Sequence, residues 1–231
     1  MLNINKHRLV MYQILNDIYR NRRLAAILGF KGGTACNIFY GLPRFSVDLD
    51  FNLLQVRDVK FVYDAIEKII KKRGEIKNKY IKKNTIFFLL SYGKLDQNIK
   101  IEISTRQISN KYELRQFYGI AMPVISRSDA FANKLLTTIE RKKIANRDLF
   151  DIYFFFENNW PINEKIIENR FKKPLIIYLN YLIKFIKKNV NNRYILQGLG
   201  ELLNEKQKIW VKNNLKKELL NLISFYIDQY K

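Results

Sequence analysis

Cysteine is almost missing from this chain: Cys36 is the only one in 231 residues. No disulfide can close within the chain and no cysteine-based metal centre can be assembled, a usage that fits a reducing cytoplasm. Histidine is equally scarce, and His7, near the N-terminus, is assigned no role. Long apolar runs are lacking too. The longest, such as residues 149–156, fall far short of the roughly 20 residues that cross a bilayer. Residues 1–10 carry charge and show no apolar segment with a small-residue cleavage site, so a secretory leader is not expected. A cytoplasmic protein with no membrane partner is the expectation. Internal repeats and low-complexity linkers are absent. Acidic side chains are in deficit, with 21 Asp and Glu against 42 Lys and Arg, a net charge of +21. A field of that sign gathers polyanions, nucleic acid first among them. A compositional bias toward Lys, Asn and Ile is the competing source of the same excess.

What is present reads as a folded chain. Hydrophobic residues make up 48% and charged residues 27%, and the length suits one large domain or two small ones. Apolar spacing at Leu9, Val10, Ile14, Leu15 and Ile18 predicts a helix over 7–23, followed by a buried strand over 24–30. Gly32-Gly33-Thr34 forms a turn into a short helix over 35–40, which Gly41 and Pro43 end. Residues 45–51 alternate with period two, placing Phe45, Val47, Leu49 and Phe51 on one face of a strand and Ser46, Asp48 and Asp50 on the other. A helix over 59–72 and two strands over 85–92 and 99–104, around a turn at 93–98, complete this part. Beyond Pro123 only helices are expected. Ser128-Asp129 caps one reaching about Arg141, Asn146-Arg147-Asp148 leads another through Phe156, and more fill 162–230. The pattern predicts an α+β fold: a small mixed sheet flanked by helices in residues 1–123, then an all-helical C-terminal domain in 124–231.

Chemistry concentrates in the first part. Asp48 and Asp50 lie two apart on a predicted strand, so their carboxylates share a face. Two such anions are tolerated when exposed or when a cation lies between them. Their hard oxygens suit Mg²⁺ or Mn²⁺, ions that also recruit substrate phosphates. A D-x-D pattern can equally arise from polar alternation on a half-exposed strand. Gly32-Gly33-Thr34 sits between strand and helix, where backbone N–H groups and the helix dipole receive phosphate; an ordinary glycine turn is the plain alternative. Glu102, alternating with Ile101 and Ile103, would complete a three-carboxylate metal site if its strand lies beside that of Asp48 and Asp50. A Lys100–Glu102 surface ladder is the other reading.

With these residues in place, Phe30-Lys31-Gly32-Gly33-Thr34 followed by Arg44-Phe45-Ser46-Val47-Asp48-Leu49-Asp50-Phe51 resembles the signature of the AbiEii/MenT-like nucleotidyltransferase toxins. That family lies within the DNA polymerase β-type superfamily. The stretch from Lys134-Leu135 through Arg141 to Arg147-Asp148-Leu149-Phe150-Asp151-Ile152-Tyr153 resembles its helical motifs, so the likeness spans about residues 25–157. One departure is Gly-Thr where the superfamily has Gly-Ser, which keeps the hydroxyl. The resemblance implies a nucleotidyltransferase core followed by a helical domain that closes over the site, acting as the toxin of a toxin–antitoxin or phage-defence system. By position, Gly32, Gly33 and Thr34, with Arg44 and Ser46, would bind the nucleoside triphosphate, and Asp48 and Asp50 would hold the metals. Lys134 would contact nucleotide phosphates, and Asp148 or Asp151 would complete the catalytic set. The implied partners are an NTP, an RNA acceptor such as the tRNA 3′ end, and a cognate antitoxin. Two other readings stay open: transfer to a protein or small-molecule hydroxyl, and a non-catalytic nucleic-acid-binding partner with the same fold.

Overall fold

In the computed structural model, which describes residues 3–55, 58–93, 97–107, 109–141 and 143–230, Asn3 caps the first helix by accepting the Lys6 amide at 3.1 Å. Helix α1 spans Ile4–Arg20 and buries His7, Met11, Ile14, Leu15 and Ile18, a helical stripe rotated from the one expected, since Leu9 faces solvent. Asn21 then ends one helix and starts the next. Its N–H donates to the Ile18 carbonyl, and its side chain accepts the amides of Arg23 and Leu24 at 3.1 and 3.2 Å. The result is α2, Arg22–Ile27, where the sequence pattern suggested a strand. One capping side chain here outweighs a short apolar run that periodicity leaves ambiguous.

Strand β1, Leu28–Lys31, leads into α3, Gly32–Tyr40. Strand β2 spans Leu49–Leu53. Residues 45–48 keep the expected alternation of burial, but the pairing of β2 with its neighbours begins only at Leu49. Helix α4 covers Val59–Ile70, and five strands follow: β3 Glu75–Lys82, β4 Thr85–Ser91, β5 Ile99–Ser104, β6 Tyr112–Phe117 and β7 Ile120–Ile125. All seven make one mixed sheet in the order β3-β4-β5-β2-β1-β7-β6, with β2–β5 and β1–β7 parallel. The predicted β4–β5 pair is antiparallel as expected, while residues 94–96 of its turn lie outside the described residues.

Three strands were not foreseen. β3 and β6 are the outer strands and carry little apolar alternation, and β7 contains Pro123, a residue that argues against a strand. Pro123 is accommodated because β7 meets β1 only at Phe30–Val124. The core of this unit, Met1–Gly41 with Phe45–Ser126, is built on Phe30 and Phe51, whose fully buried rings lie 5.3 Å apart.

The second compact unit, Leu42–Arg44 with Arg127–Lys231, contains α5 Arg127–Glu140, α6 Asn146–Glu157, α7 Glu164–Phe171, α8 Leu175–Asn189 and α9 Glu205–Asp228. Ser128 and Asp129 lie inside α5 rather than ahead of it, and buried Asp129 accepts from the Asn163 side chain at 2.8 Å. Helix α9 buries every fourth residue, Val211, Leu215, Leu219, Ile223 and Ile227. Phe155 stacks on Trp160 at 4.1 Å and meets Phe131 edge-on. Among the described residues no helix is long and apolar enough to cross a membrane.

Replacing Asn21 by Ala removes the acceptor for two first-turn amides of α2, at a cost of about 1 kcal/mol. Hydrogen exchange at the Arg23 and Leu24 amides is expected to accelerate, whereas Asn21→Asp, which keeps the acceptor, leaves it near the wild-type rate.

Candidate active site

Strand β1 delivers the chain to Gly32 in a left-handed conformation, φ +81°. A Cβ at this position would collide with the Asp50 carboxylate, so glycine is required twice over, by backbone angle and by the approach of that side chain. Lys31 and Asp50 face each other across the β1–β2 ladder. Two residues on, the Thr34 hydroxyl donates to the Asp48 carbonyl. These contacts join the start of α3 to Asp50 on β2 and to Asp48 just ahead of it. Lys31 provides no side-chain cap for α3; first-turn N–H groups at the positive end of a helix dipole are the kind of donor that can receive an anion.

Asp48 and Asp50 are both half-buried. Asp50 is the register partner of Glu102 on parallel β5, which puts those two carboxylates on one face of adjacent strands, with Glu102 exposed. Hard carboxylate oxygens beside a position where only a Cβ-free backbone fits make a donor set suited to Mg²⁺ or Mn²⁺. Among the described residues no three His, Cys, Asp or Glu side chains converge tightly enough to cage an ion by themselves. Ser46 is half-buried on the segment leading to Asp48.

His7, given no role from the sequence, is fully buried. Its Nε2 lies 2.9 Å from the carbonyl of Val47, the residue preceding Asp48, and its Nδ1 lies 2.7 Å from the Tyr92 hydroxyl. A carbonyl only accepts, so Nε2 carries the proton, and in the neutral ring Nδ1 accepts from Tyr92. Phe45 and Tyr92 contact the imidazole edge-on. The sequence signal was position: His7 lies four residues before Met11 on the buried stripe of α1.

The remaining predicted residues assemble within the helical unit. Arg44 grips Asp151 with two parallel bonds, Nε to Oδ1 at 2.5 Å and Nη2 to Oδ2 at 2.7 Å, and is only 3% exposed. Lys134 on α5 reaches across to α6, 2.8 Å from Asp148 and 3.0 Å from Asp151. Arg141 adds an ion pair to Asp148 at 3.1 Å. Asp148 and Asp151, one turn apart, are fully buried, while 17% of the Lys134 side chain remains exposed. Burial alone would raise the Asp148 carboxyl, but Lys134, Arg141 and Arg147 outweigh it and hold that group below the ordinary aspartate value. Burial likewise opposes the Lys134 ammonium, and Asp148 and Asp151 overcome it, keeping the group above the usual lysine value.

The family model described as "Nucleotidyl transferase AbiEii toxin, Type IV TA system" matches residues 13–219. The fold resembles two crystal structures from Helicobacter pylori. One, of JHP933, has 20% identity and a TM-score of 0.63, covering 99% of this chain and 94% of that one. The other, of a protein given as a candidate nucleotidyltransferase, has 21% identity and a TM-score of 0.63, covering 100% and 99%. A comparison of the sequence with curated proteins gives no match.

Asp151→Asn leaves Arg44 and Lys134 short of a buried counter-charge and is expected to cost about 3–5 kcal/mol, read as a lowered urea midpoint. Asp148→Asn carries a pH signature. Because the folded carboxyl titrates below its unfolded value, its contribution is complete above the unfolded pKa of about 4 and disappears as pH falls through the lowered folded pKa. The difference in melting temperature between wild type and Asp148→Asn should therefore be widest near neutrality and close on acidification.

Proposed function

The chain belongs to the AbiEii nucleotidyltransferase toxin family, and we propose that it moves a nucleoside monophosphate from an NTP to the 3′-hydroxyl of an RNA, with tRNA the first candidate acceptor. The observation that supports this reading is the close approach of Thr34 to Asp48 and of Gly32 to Asp50, which sets the start of α3 beside the carboxylate pair. In this reading the acceptor hydroxyl attacks the α-phosphorus, a new O–P bond forms, and the bond to pyrophosphate breaks. The hydroxyl proton passes to the adjacent carboxylates. Asp48 and Asp50, with Glu102 alongside, would hold Mg²⁺ or Mn²⁺, the remaining ligands coming from substrate phosphates and water. Bound there, the ions would neutralise charge on the transferring group and lower the pKa of the attacking hydroxyl.

The backbone amides at the start of α3 receive the triphosphate and stabilise the departing pyrophosphate. His7 acts at one remove by fixing Val47 and thereby the aspartate that follows. Lys134, the ammonium of this cluster with 17% of its side chain exposed, is the group that the family resemblance would assign to phosphate. Asp148 and Asp151 are positioning residues, since both are buried and engaged with cations. Arg44, committed to Asp151, serves the same positioning cluster. The net charge of +21 favours a polyanionic acceptor over a neutral small molecule. Family membership suggests a cognate antitoxin as a further partner.

Incubation with each α-labelled NTP, divalent metal and total RNA is expected to label an RNA species with one preferred nucleotide. Asp48→Asn and Asp50→Asn should each lower incorporation by at least about a thousandfold, the scale lost with a principal electrostatic group. Label entering protein but not RNA would replace the RNA acceptor with a protein hydroxyl. No incorporation from any NTP would sink the proposal.

A further inference from the structure

The two edges of the seven-stranded sheet are built differently. β3 carries Lys77, Lys79 and Lys82, and its register with β4 slips between Ile76 and Asn78. Lysines and bulges are devices that keep an edge from recruiting another strand. β6, at the opposite edge, has no lysine, no proline and an unbroken register with β7. Leu114 at its centre is 77% exposed, and Tyr118 just beyond it is 81% exposed. The Ser126 N–H donates to the Lys111 carbonyl at 2.9 Å, which sets the phase of the ladder. With Tyr112 opposite Ile125, the backbone groups of Glu113, Arg115 and Phe117 turn toward β7, and those of Leu114 and Gln116 turn outward.

We propose that this edge pairs antiparallel with the same edge of a second copy of the chain, with a two-fold axis through Leu114. Each Leu114 then exchanges both backbone hydrogen bonds with its twin, and Glu113 stands opposite Arg115 of the second copy on both sides of the axis. Glu113 and Arg115 already share an ion pair at 2.5 Å within one chain, so pairing joins two such ion pairs into four alternating charges. The pattern is self-complementary, as an isologous interface demands. It also selects the register. Sliding to either neighbouring register that keeps the outward groups paired sets Arg115 against Arg115 or Glu113 against Glu113, and like charges directly opposite are destabilising. The occupant that the charge pattern fits is therefore a second copy.

Sedimentation velocity of the full chain over a concentration series tests this. A species of twice the 27.7 kDa chain mass should grow with concentration. Leu114→Lys, which places a charge on the edge, and Glu113→Arg, which puts like charges opposite each other, should each raise the dissociation constant at least about tenfold, equivalent to roughly 1.4 kcal/mol. Leu114 is exposed, so these variants should fold, and far-UV circular dichroism is recorded on each. Register is read with single cysteines, the native Cys36 being buried. Leu114→Cys should be joined to its twin by a short bismaleimide, while Gln116→Cys, about 14 Å from its twin along the paired strands, should not. A wild-type chain monomeric at every concentration, a dimer indifferent to Leu114→Lys, or equal crosslinking at 114 and 116 would overturn the proposal.

Discussion

The structure of the candidate site depends on one joint, where the Thr34 hydroxyl reaches the Asp48 carbonyl and the Asp50 carboxylate fills the space a Cβ at Gly32 would need. Either contact alone would tie a loop to a strand. Together they set the first turn of α3 beside two carboxylates. In the proposed reaction, such an arrangement would stabilise developing charge with little reorganisation of its own dipoles. His7 extends the joint to α1 through the Val47 carbonyl, bringing a residue 40 positions away to bear on the approach to Asp48.

The helical unit handles charge by the opposite strategy. Asp148 and Asp151 are withdrawn from solvent and surrounded by Arg44, Lys134 and Arg141, so that each carboxylate is compensated where water cannot help. Such a network is stable only when complete, because a single missing partner leaves a buried charge. Three cations against two acids leave the cluster with a positive balance, and Lys134 is the member that combines deep anchoring with partial exposure. Asp48 and Asp50 stand in contrast, since both are half-buried rather than withdrawn from solvent.

The excess of positive charge is uneven in its consequences. On the sheet, β3 uses lysines to guard its edge, whereas β6 carries one acid and one base around an exposed leucine. Net charge governs long-range attraction of polyanions, but edge pairing is decided within a few ångströms by backbone direction and the order of side chains.

Local periodicity made much of this chain legible. Alternation over 45–51 matches the burial pattern there, although β2 begins only at Leu49, and helical spacing found α4, α5 and α6; the turn expected at 32–34 is instead the first turn of α3, which starts at Gly32. These patterns reflect the sterics and amphipathicity of near neighbours, which a sequence displays directly. Asn21 escaped notice because one polar residue, acting as a cap, overruled an apolar run. Strands β3 and β6 escaped because an edge need not bury alternate side chains. The partners of His7 were invisible for a different reason: one is a backbone carbonyl, which carries no residue identity. Arg44 and Asp151 lie 107 residues apart, and nothing in either neighbourhood announces the other. Residue types and their order along the chain suffice to nominate candidates for phosphate and metal chemistry. Which carboxylates stay half-buried at the start of β2 and which are committed to buried cations is settled only by the fold. That choice is made by packing between segments distant in the chain, and local pattern does not encode it.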